Sequence, residues 1–242
     1  MKKRAEITTQ QIVMLIVLIV SCVVILFFIF RLNFQSISDK EVCHNSVVLK
    51  SKGKGLIGKL DCNTNYLCIS GGGKCEDITA SETIEVDATK KEEIMKALAD
   101  EMADCWWMFG EGDLQYLSSD ERFIEYTCAL CSVVKFDETI IENSEPITYR
   151  EFYEYLNSLE KGESETYFNY LYDVFDVDTF QGESPVKIDI DNSYLVSDEK
   201  YAIVTAHKDN LLYLGQDYLP PHYLKVSQLS SELKCKSYVT KA

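Results

Sequence analysis

The amino-terminal apolar run constrains this chain more than any other feature of its sequence. Residues 12–30 read IVMLIVLIVSCVVILFFIF and carry no charged side chain. A helix of this length spans about 28 Å, which matches the hydrocarbon thickness of a bilayer. The apolar region of a cleaved secretory signal usually has only about 7–15 residues. The run therefore predicts a transmembrane helix, with cleavage after Ser38 as the alternative.

The charges that flank this run predict its orientation. Three basic residues, Lys2 to Arg4, precede it, and Arg31 alone follows it closely. Positively charged flanks stay on the cytoplasmic side of a membrane. We therefore expect a basic cytoplasmic n-region at 1–11, a juxtamembrane linker at 31–42, and the rest of the chain outside. These features predict a single-pass protein of the cytoplasmic membrane, with the lipid bilayer as the partner of residues 12–30.

The amino terminus also carries a short pattern of a known kind. The segment KKRAEITTQQIVMLIV contains a basic start, Arg4-Ala5 before Glu6-Ile7, and then the apolar residues. It resembles the class III signal of archaeal pilin-like proteins, which implies cleavage between Ala5 and Glu6 with the apolar helix retained. Together with a loose cysteine pattern, the arrangement also resembles uncharacterised single-pass membrane-anchored proteins of small-genome archaea.

The charge distribution changes along the chain and predicts a boundary near residue 80. The whole chain has a net charge of −15. Residues 81–242 contain 14 Lys and Arg against 33 Asp and Glu, whereas residues 32–80 contain 6 against 5. We expect a small Cys-rich module at 43–80 and an acidic domain at 81–242. Nucleic acid is not an expected partner, because phosphate binding requires clustered Lys and Arg.

Nine cysteines are many for a reduced cytosolic protein, and they predict an oxidising compartment. Cys22 lies in the apolar run, which leaves an even number outside it. The first four of these are spaced C-x18-C, C-x5-C and C-x6-C, unlike the short knuckles of a zinc site. We expect two disulfides within that segment and two in the larger domain. The predicted structural disulfides use Cys43, Cys62, Cys68, Cys75, Cys105, Cys128, Cys131 and Cys235.

The stretch YTCALCSVVKF, residues 126–136, contains a C-x-x-C spacing. A redox-active pair places its first cysteine at a helix amino terminus, but the flanking aromatic and β-branched residues here favour a strand. Residues three apart in a strand lie roughly 10 Å apart on opposite faces, too far for a mutual disulfide. We therefore expect one of Cys128 and Cys131 to bond Cys105 on a facing helix, and the other to bond Cys235.

The predicted fold class is α+β with a mostly antiparallel sheet, stapled by disulfides. Apolar residues recur at helical spacing over 88–112 and 147–162, which predicts two helices. Residues 83–86 are predicted to form a short strand. The alternation of apolar and polar residues over 186–192, followed by the apolar segment 201–208, predicts an antiparallel hairpin.

The sequence contains few signs of chemistry. It shows no catalytic, metal-binding or nucleotide motif, so we expect no catalytic residue, metal ligand or cofactor, although Ser/His partners that meet only in the fold stay open. The acidic segment 176–191 starts like a calcium loop, but Phe180 and Gln181 stand where a ligand and a glycine belong. Whether it binds a cation stays open.

Aromatic side chains are the candidate recognition residues, because each ring is apolar with a polar tip. The positions are Trp106, Trp107, Tyr155 and Tyr167. Together these features predict a membrane-anchored, extracytoplasmic binding or cell-envelope interaction protein without enzymatic activity, with a protein or glycan partner. The alternatives are a pilin-like filament subunit and a membrane-tethered thiol-disulfide oxidoreductase that uses Cys128 and Cys131.

Overall fold

A computed structural model divides this chain into two units, Met1–Ser38 and Asp39–Ala242. The described residues are 14–24, 39–53, 59–116, 126–162, 164–184, 186–209, 216–235 and 237–241. The helices are α1 (residues 14–24), α2 (Asp39–Lys52), α3 (Lys91–Met108), α4 (Glu138–Asn143), α5 (Tyr149–Ser158), α6 (Tyr167–Tyr172), α7 (Val177–Glu183) and α8 (Leu229–Glu232). The strands are β1 (Asn65–Ser70), β2 (Glu82–Glu85), β3 (Thr127–Phe136), β4 (Tyr201–Asp209), β5 (Gln216–Lys225) and β6 (Ser237–Tyr238).

The first unit contributes α1, whose apolar side chains are exposed, Met14 at 74% being an example. Among the residues that the structure describes, none of the helices combines the length and the apolarity that a membrane crossing requires. The two ends of the predicted span, 12–13 and 25–30, lie outside the described residues. So do the n-region and both predicted cleavage points.

The sheet is mixed, so the expectation of a mostly antiparallel sheet is wrong. Its strand order is β2-β1-β3-β4-β5, and β6 lies beside β3. Strand β1 runs parallel to both β2 and β3, and β6 is also parallel to β3. Only the pairs β3–β4 and β4–β5 are antiparallel in the described sheet. Parallel neighbours need a long crossover connection, and the 18-residue helix α3 between β2 and β3 lies in such a connection.

The predicted hairpin of 186–192 with 201–208 is also wrong. Residues 186–192 form no strand, and β4 pairs with β3 and β5 instead. Val186 and Ile190 are nevertheless buried, as the alternation required. The carbonyl of Ile190 accepts a hydrogen bond from the Arg150 backbone N–H at the start of α5. The alternation of apolar and polar residues over 186–192 therefore reflects a half-buried segment and not a paired strand.

The two cysteines of the C-x-x-C spacing lie on opposite faces of β3, as predicted. Cys131 packs in the larger core beneath α3, α5 and α6, and it bonds Cys105 of α3 with Cα atoms 5.6 Å apart. Cys128 packs in a second core with Leu229 and Leu233, and it bonds Cys235 with Cα atoms 5.7 Å apart. The two disulfides therefore fix the central strand from both sides.

The first four cysteines pair with one another, which confirms two disulfides within their segment. Cys43 of α2 bonds Cys62, and Cys68 of β1 bonds Cys75 just beyond the strand. Strand β1 belongs to the main sheet, and residues from Asp39 onward form a single unit. The Cys-rich segment therefore contributes a helix and a strand to the same body as the acidic sequence.

Candidate functional site

The four aromatic residues predicted for recognition all have neighbours within the fold. Trp106 is buried, and Trp107 stacks at 4.0 Å on the imidazole ring of His44. The hydroxyl of Tyr167 donates to Asp100 at 2.6 Å, and Tyr155 is half-buried. These rings pack against their neighbours, and their role in recognition stays a prediction.

The acidic segment 176–191 uses its first two carboxylates internally. Asp176 caps α7 by accepting the Thr179 backbone N–H at 2.8 Å, and Asp178 accepts from Arg150 at 3.1 Å. Within the part of the chain that the structure describes, no group of three His, Cys, Asp or Glu side chains is placed to hold a metal ion.

The fold brings together a serine and a histidine that are 38 residues apart in the sequence. The Ser184 hydroxyl lies 3.1 Å from Nε2 of His222, and the Pro220 carbonyl lies 2.7 Å from Nδ1. A carbonyl only accepts, so Nδ1 carries the proton, and the neutral ring can accept the serine proton at Nε2. This is the order of donor and acceptor found in nucleophile–base pairs.

Burial separates this pair from any substrate. Ser184 is 7% exposed and His222 is 1% exposed, and the adjoining cavity of about 10 Å³ has room for one water molecule at most. Burial also lowers the pKa of His222 to about 4, against the opposing effect of the Pro220 carbonyl. A base with that pKa is weak at neutral pH. The pair therefore fits a role in holding β5 to the end of α7.

The glycine-rich turn after β1 resembles an anion site, but the chain fills it with its own carboxylate. One oxygen of Asp137 accepts the backbone N–H groups of Gly71 at 3.1 Å and Gly73 at 2.7 Å, and the Ser70 hydroxyl at 3.0 Å. The other oxygen caps α4 through Ile140. Burial alone would raise the pKa of Asp137, but these donors hold it below its usual value. The turn is therefore a structural joint.

A more open surface cleft lies on another part of the molecule. It has a volume of about 530 Å³, and the strongly exposed ring of Tyr194 stands at its wall, so we call it the Tyr194 cleft. Volumes of about 300–1,000 Å³ are typical of ligand sites. Its lining comes from three separate stretches of the chain: Ile141, Ser144, Pro146, Tyr149, Ile188, Asn192, Ser193, Tyr194, Val196, Ser197, Lys225 and Gln228.

Residues 193–197 form one wall of the cleft, and two buried tyrosines hold this wall in place. The hydroxyl of Tyr223 donates to the Leu195 carbonyl at 3.0 Å. The hydroxyl of Tyr201 lies 2.7 Å from that of Ser197 and donates to the Tyr194 carbonyl at 3.3 Å. The two rings stack on each other at 4.7 Å. A wall tied to the sheet in this way is preorganised, so a ligand would not have to order it.

Backbone hydrogen bonds attach the same wall to the start of α5. The Leu195 N–H donates to the Ile147 carbonyl at 2.9 Å, and the Tyr149 N–H donates to the Ser193 carbonyl at 3.2 Å. The Thr148 hydroxyl accepts the Glu151 N–H at 3.1 Å and thereby caps α5. The position of the wall is therefore fixed by both the sheet and the helix.

The cleft is nearly neutral on a strongly acidic protein. Among the described residues that line it, Lys225 is the only charged one, and its ammonium group bonds Glu199 at 2.7 Å. That hydrogen bond raises the pKa of Lys225. Ile141 also lines a second cleft of about 310 Å³, which has four carboxylates and two lysines. Compared with this charged second cleft, the Tyr194 cleft offers few charges to a ligand.

Sequence reasoning missed the Tyr194 cleft entirely. Its residues come from the ends of α4 and α5, from the irregular segment 188–197 and from the end of β5. No local motif joins such pieces. The nearest signal was the polar stretch DNSY at 191–194, which resembles a turn.

Comparison with known proteins adds no family to this description. No protein-family model, curated protein or solved structure matches the chain.

Proposed function

We propose that this chain is a membrane-anchored, extracytoplasmic binding protein without enzymatic activity, and that its ligand occupies the Tyr194 cleft. The observation that carries the proposal is the cleft itself. Its volume of about 530 Å³ is of the size of a ligand site, and its wall is tied to both the sheet and α5. A site of this kind suits binding because the ligand does not have to order a flexible wall when it enters.

The anchor and the location are supported by the sequence and by the disulfides. Residues 12–30 are uncharged, and Lys2 to Arg4 lie on the amino-terminal flank. Four disulfides link the eight cysteines outside that run. Disulfides persist in oxidising compartments, which favours a domain outside the cytoplasmic membrane.

The absence of enzymatic activity is supported by the positions of the reactive groups. Ser184 and His222 are buried beside a cavity too small for a substrate. Cys128 and Cys131 are each bonded to a different cysteine, so they do not form a dithiol pair of their own. None of these four residues lines the Tyr194 cleft. The Tyr194 cleft therefore contains neither the Ser184–His222 pair nor the two cysteines of the C-x-x-C spacing.

A retention experiment tests the proposal. Full-length chain is purified in detergent, immobilised, and exposed to solubilised cell-envelope extract from the organism that makes it. Ser144→Trp should fill the cleft and abolish retention, because Ser144 lines it. Ser164→Trp is the matched control, since Ser164 is exposed and lies outside the lining. Equal retention by both variants would contradict binding at the cleft.

A further inference from the structure

We infer that the Tyr194 cleft binds a neutral saccharide. This inference rests on the proposed function and names the chemistry of the ligand. It depends on three properties of the cleft: its charge, its exposed ring, and polar side chains that make no hydrogen bond among the described residues.

The charge of the lining excludes strongly charged ligands. The chain as a whole has a net charge of −15, which repels anions. The ammonium group of Lys225 is already paired with Glu199, so it does not offer an uncompensated positive charge. The lining that the structure describes contains no carboxylate to attract a cation. A ligand that enters this cleft is therefore neutral.

The exposed ring supplies an apolar platform. Tyr194 is 51% exposed, although its backbone pairs with Thr148 and its carbonyl accepts from Tyr201. Exposing so much of an aromatic side chain forgoes burial, so the ring has area to offer a ligand. A pyranose ring carries C–H groups on one face, and these pack against the face of an aromatic ring. The fixed backbone beneath Tyr194 would hold the platform in place.

Polar groups around the ring complete the match. Within the described part of the chain, the side chains of Ser144, Ser193 and Gln228 make no hydrogen bond, and all three line the cleft. Hydroxyl and amide groups both donate and accept. They suit the hydroxyl groups of a sugar, which also do both. An apolar ligand would leave these groups unpaired, at a cost in affinity.

A peptide is the less suitable neutral ligand. Peptides commonly bind by adding a strand to an exposed edge, through backbone groups that have no partner. The backbone groups of the cleft wall are already used, since the Leu195 N–H bonds Ile147 and the Ser193 carbonyl bonds Tyr149. The cleft therefore offers side chains and a ring, and these features favour a saccharide.

The test divides the envelope extract into three portions, and each portion is treated in a different way. One portion is oxidised with periodate, which cleaves the vicinal diols of sugars, and another is digested with proteinase K. A third is passed through an anion exchanger, and its unbound, neutral fraction is collected. Immobilised full-length chain should retain the digested portion and the neutral fraction, and it should lose retention after periodate treatment.

Variants locate the binding. Tyr194→Ala should weaken retention about tenfold, because it removes the platform, and Tyr194→Trp should restore it. Phe175→Ala is the matched control, since Phe175 is 82% exposed and does not line the cleft. The thermal midpoint of each variant, measured in the same detergent, shows whether it is folded.

The outcomes separate this inference from the proposed function. Retention that survives periodate but is lost after proteinase K, with the same loss in Tyr194→Ala, would overturn the saccharide and keep the cleft. If the chain retained only material that binds to the anion exchanger, the ligand would be anionic, and the inference of a neutral ligand would be wrong. If Ser144→Trp retains the extract as well as the native chain does, both the function and the inference fail.

Discussion

At the scale of single residues, the most revealing side chain is His222. It is 1% exposed, and both of its ring nitrogens have partners, the Ser184 hydroxyl and the Pro220 carbonyl. The rings of Tyr172 and Phe180 lie at 6.2 and 5.9 Å. These neighbours are uncharged between pH 4 and 7, and burial outweighs the Pro220 carbonyl, which by itself favours an imidazolium. The residue thus serves stability in its neutral form.

The lowered pKa of His222 predicts a loss of stability in mild acid. Below about pH 6.5 the unfolded chain binds a proton that the folded chain does not bind until about pH 4. Stability is therefore complete above pH 6.5 and falls between pH 6.5 and 4, by up to about 3 kcal/mol. The free energy of unfolding in urea, measured from pH 7.5 to 4.5, should show this decline.

Substitution isolates the contribution of this histidine. His222→Gln should be less stable at pH 7.5, because it changes a buried hydrogen-bonded ring, but its stability should decline less steeply toward pH 4.5. His44→Gln, at a half-buried histidine, is the control. The assignment is contradicted if the native chain and His222→Gln lose stability in parallel over this range.

At the scale of elements, the sequence predicted best those features that depend only on the residue period of a strand or a helix. The opposite faces of Cys128 and Cys131 followed from the period of two in a strand, and the pairing with Cys105 and Cys235 is confirmed. Helix α3 was expected for a similar reason, from the spacing of its apolar residues. The helix begins at Lys91 and not at residue 88, and Thr89 bonds the Asp87 side chain ahead of it.

Pairing between distant strands could not be predicted in the same way. The direction of β1 relative to β3 depends on how α3 packs across the sheet, which no local period records. The segment 186–192 alternates like a strand, yet its backbone bonds the start of α5. The Tyr194 cleft combines such a segment with two helix ends, so it was out of reach for sequence reasoning.

The disulfides should contribute to stability in the order of the loops that they close. Cys128 and Cys235 are 107 residues apart, whereas Cys68 and Cys75 are 7 apart. Constraining the unfolded chain predicts a loss of about 5 kcal/mol when the first pair is replaced by alanine, and about 2 kcal/mol for the second. Urea unfolding of the two double variants measures both. Equal losses, or the reverse order, would contradict this account.

At the scale of the whole molecule, the chain combines a long apolar run with a body that is held by four disulfides. The body has two cores, one on each face of the sheet, and β3 lies between them with a disulfide on each side. A fold that depends on such bonds needs an oxidising compartment. The predicted topology, with the amino terminus inside, places the body in one.

Disulfide mapping of the native chain tests this account most directly. Membranes are isolated from the producing organism, free thiols are alkylated before lysis, and the peptides are analysed by mass spectrometry without reduction. We expect four bonds, Cys43–Cys62, Cys68–Cys75, Cys105–Cys131 and Cys128–Cys235, with alkylation at Cys22 alone. A bond between Cys128 and Cys131, or alkylation of the eight cysteines as free thiols, would contradict the stapled, extracytoplasmic domain.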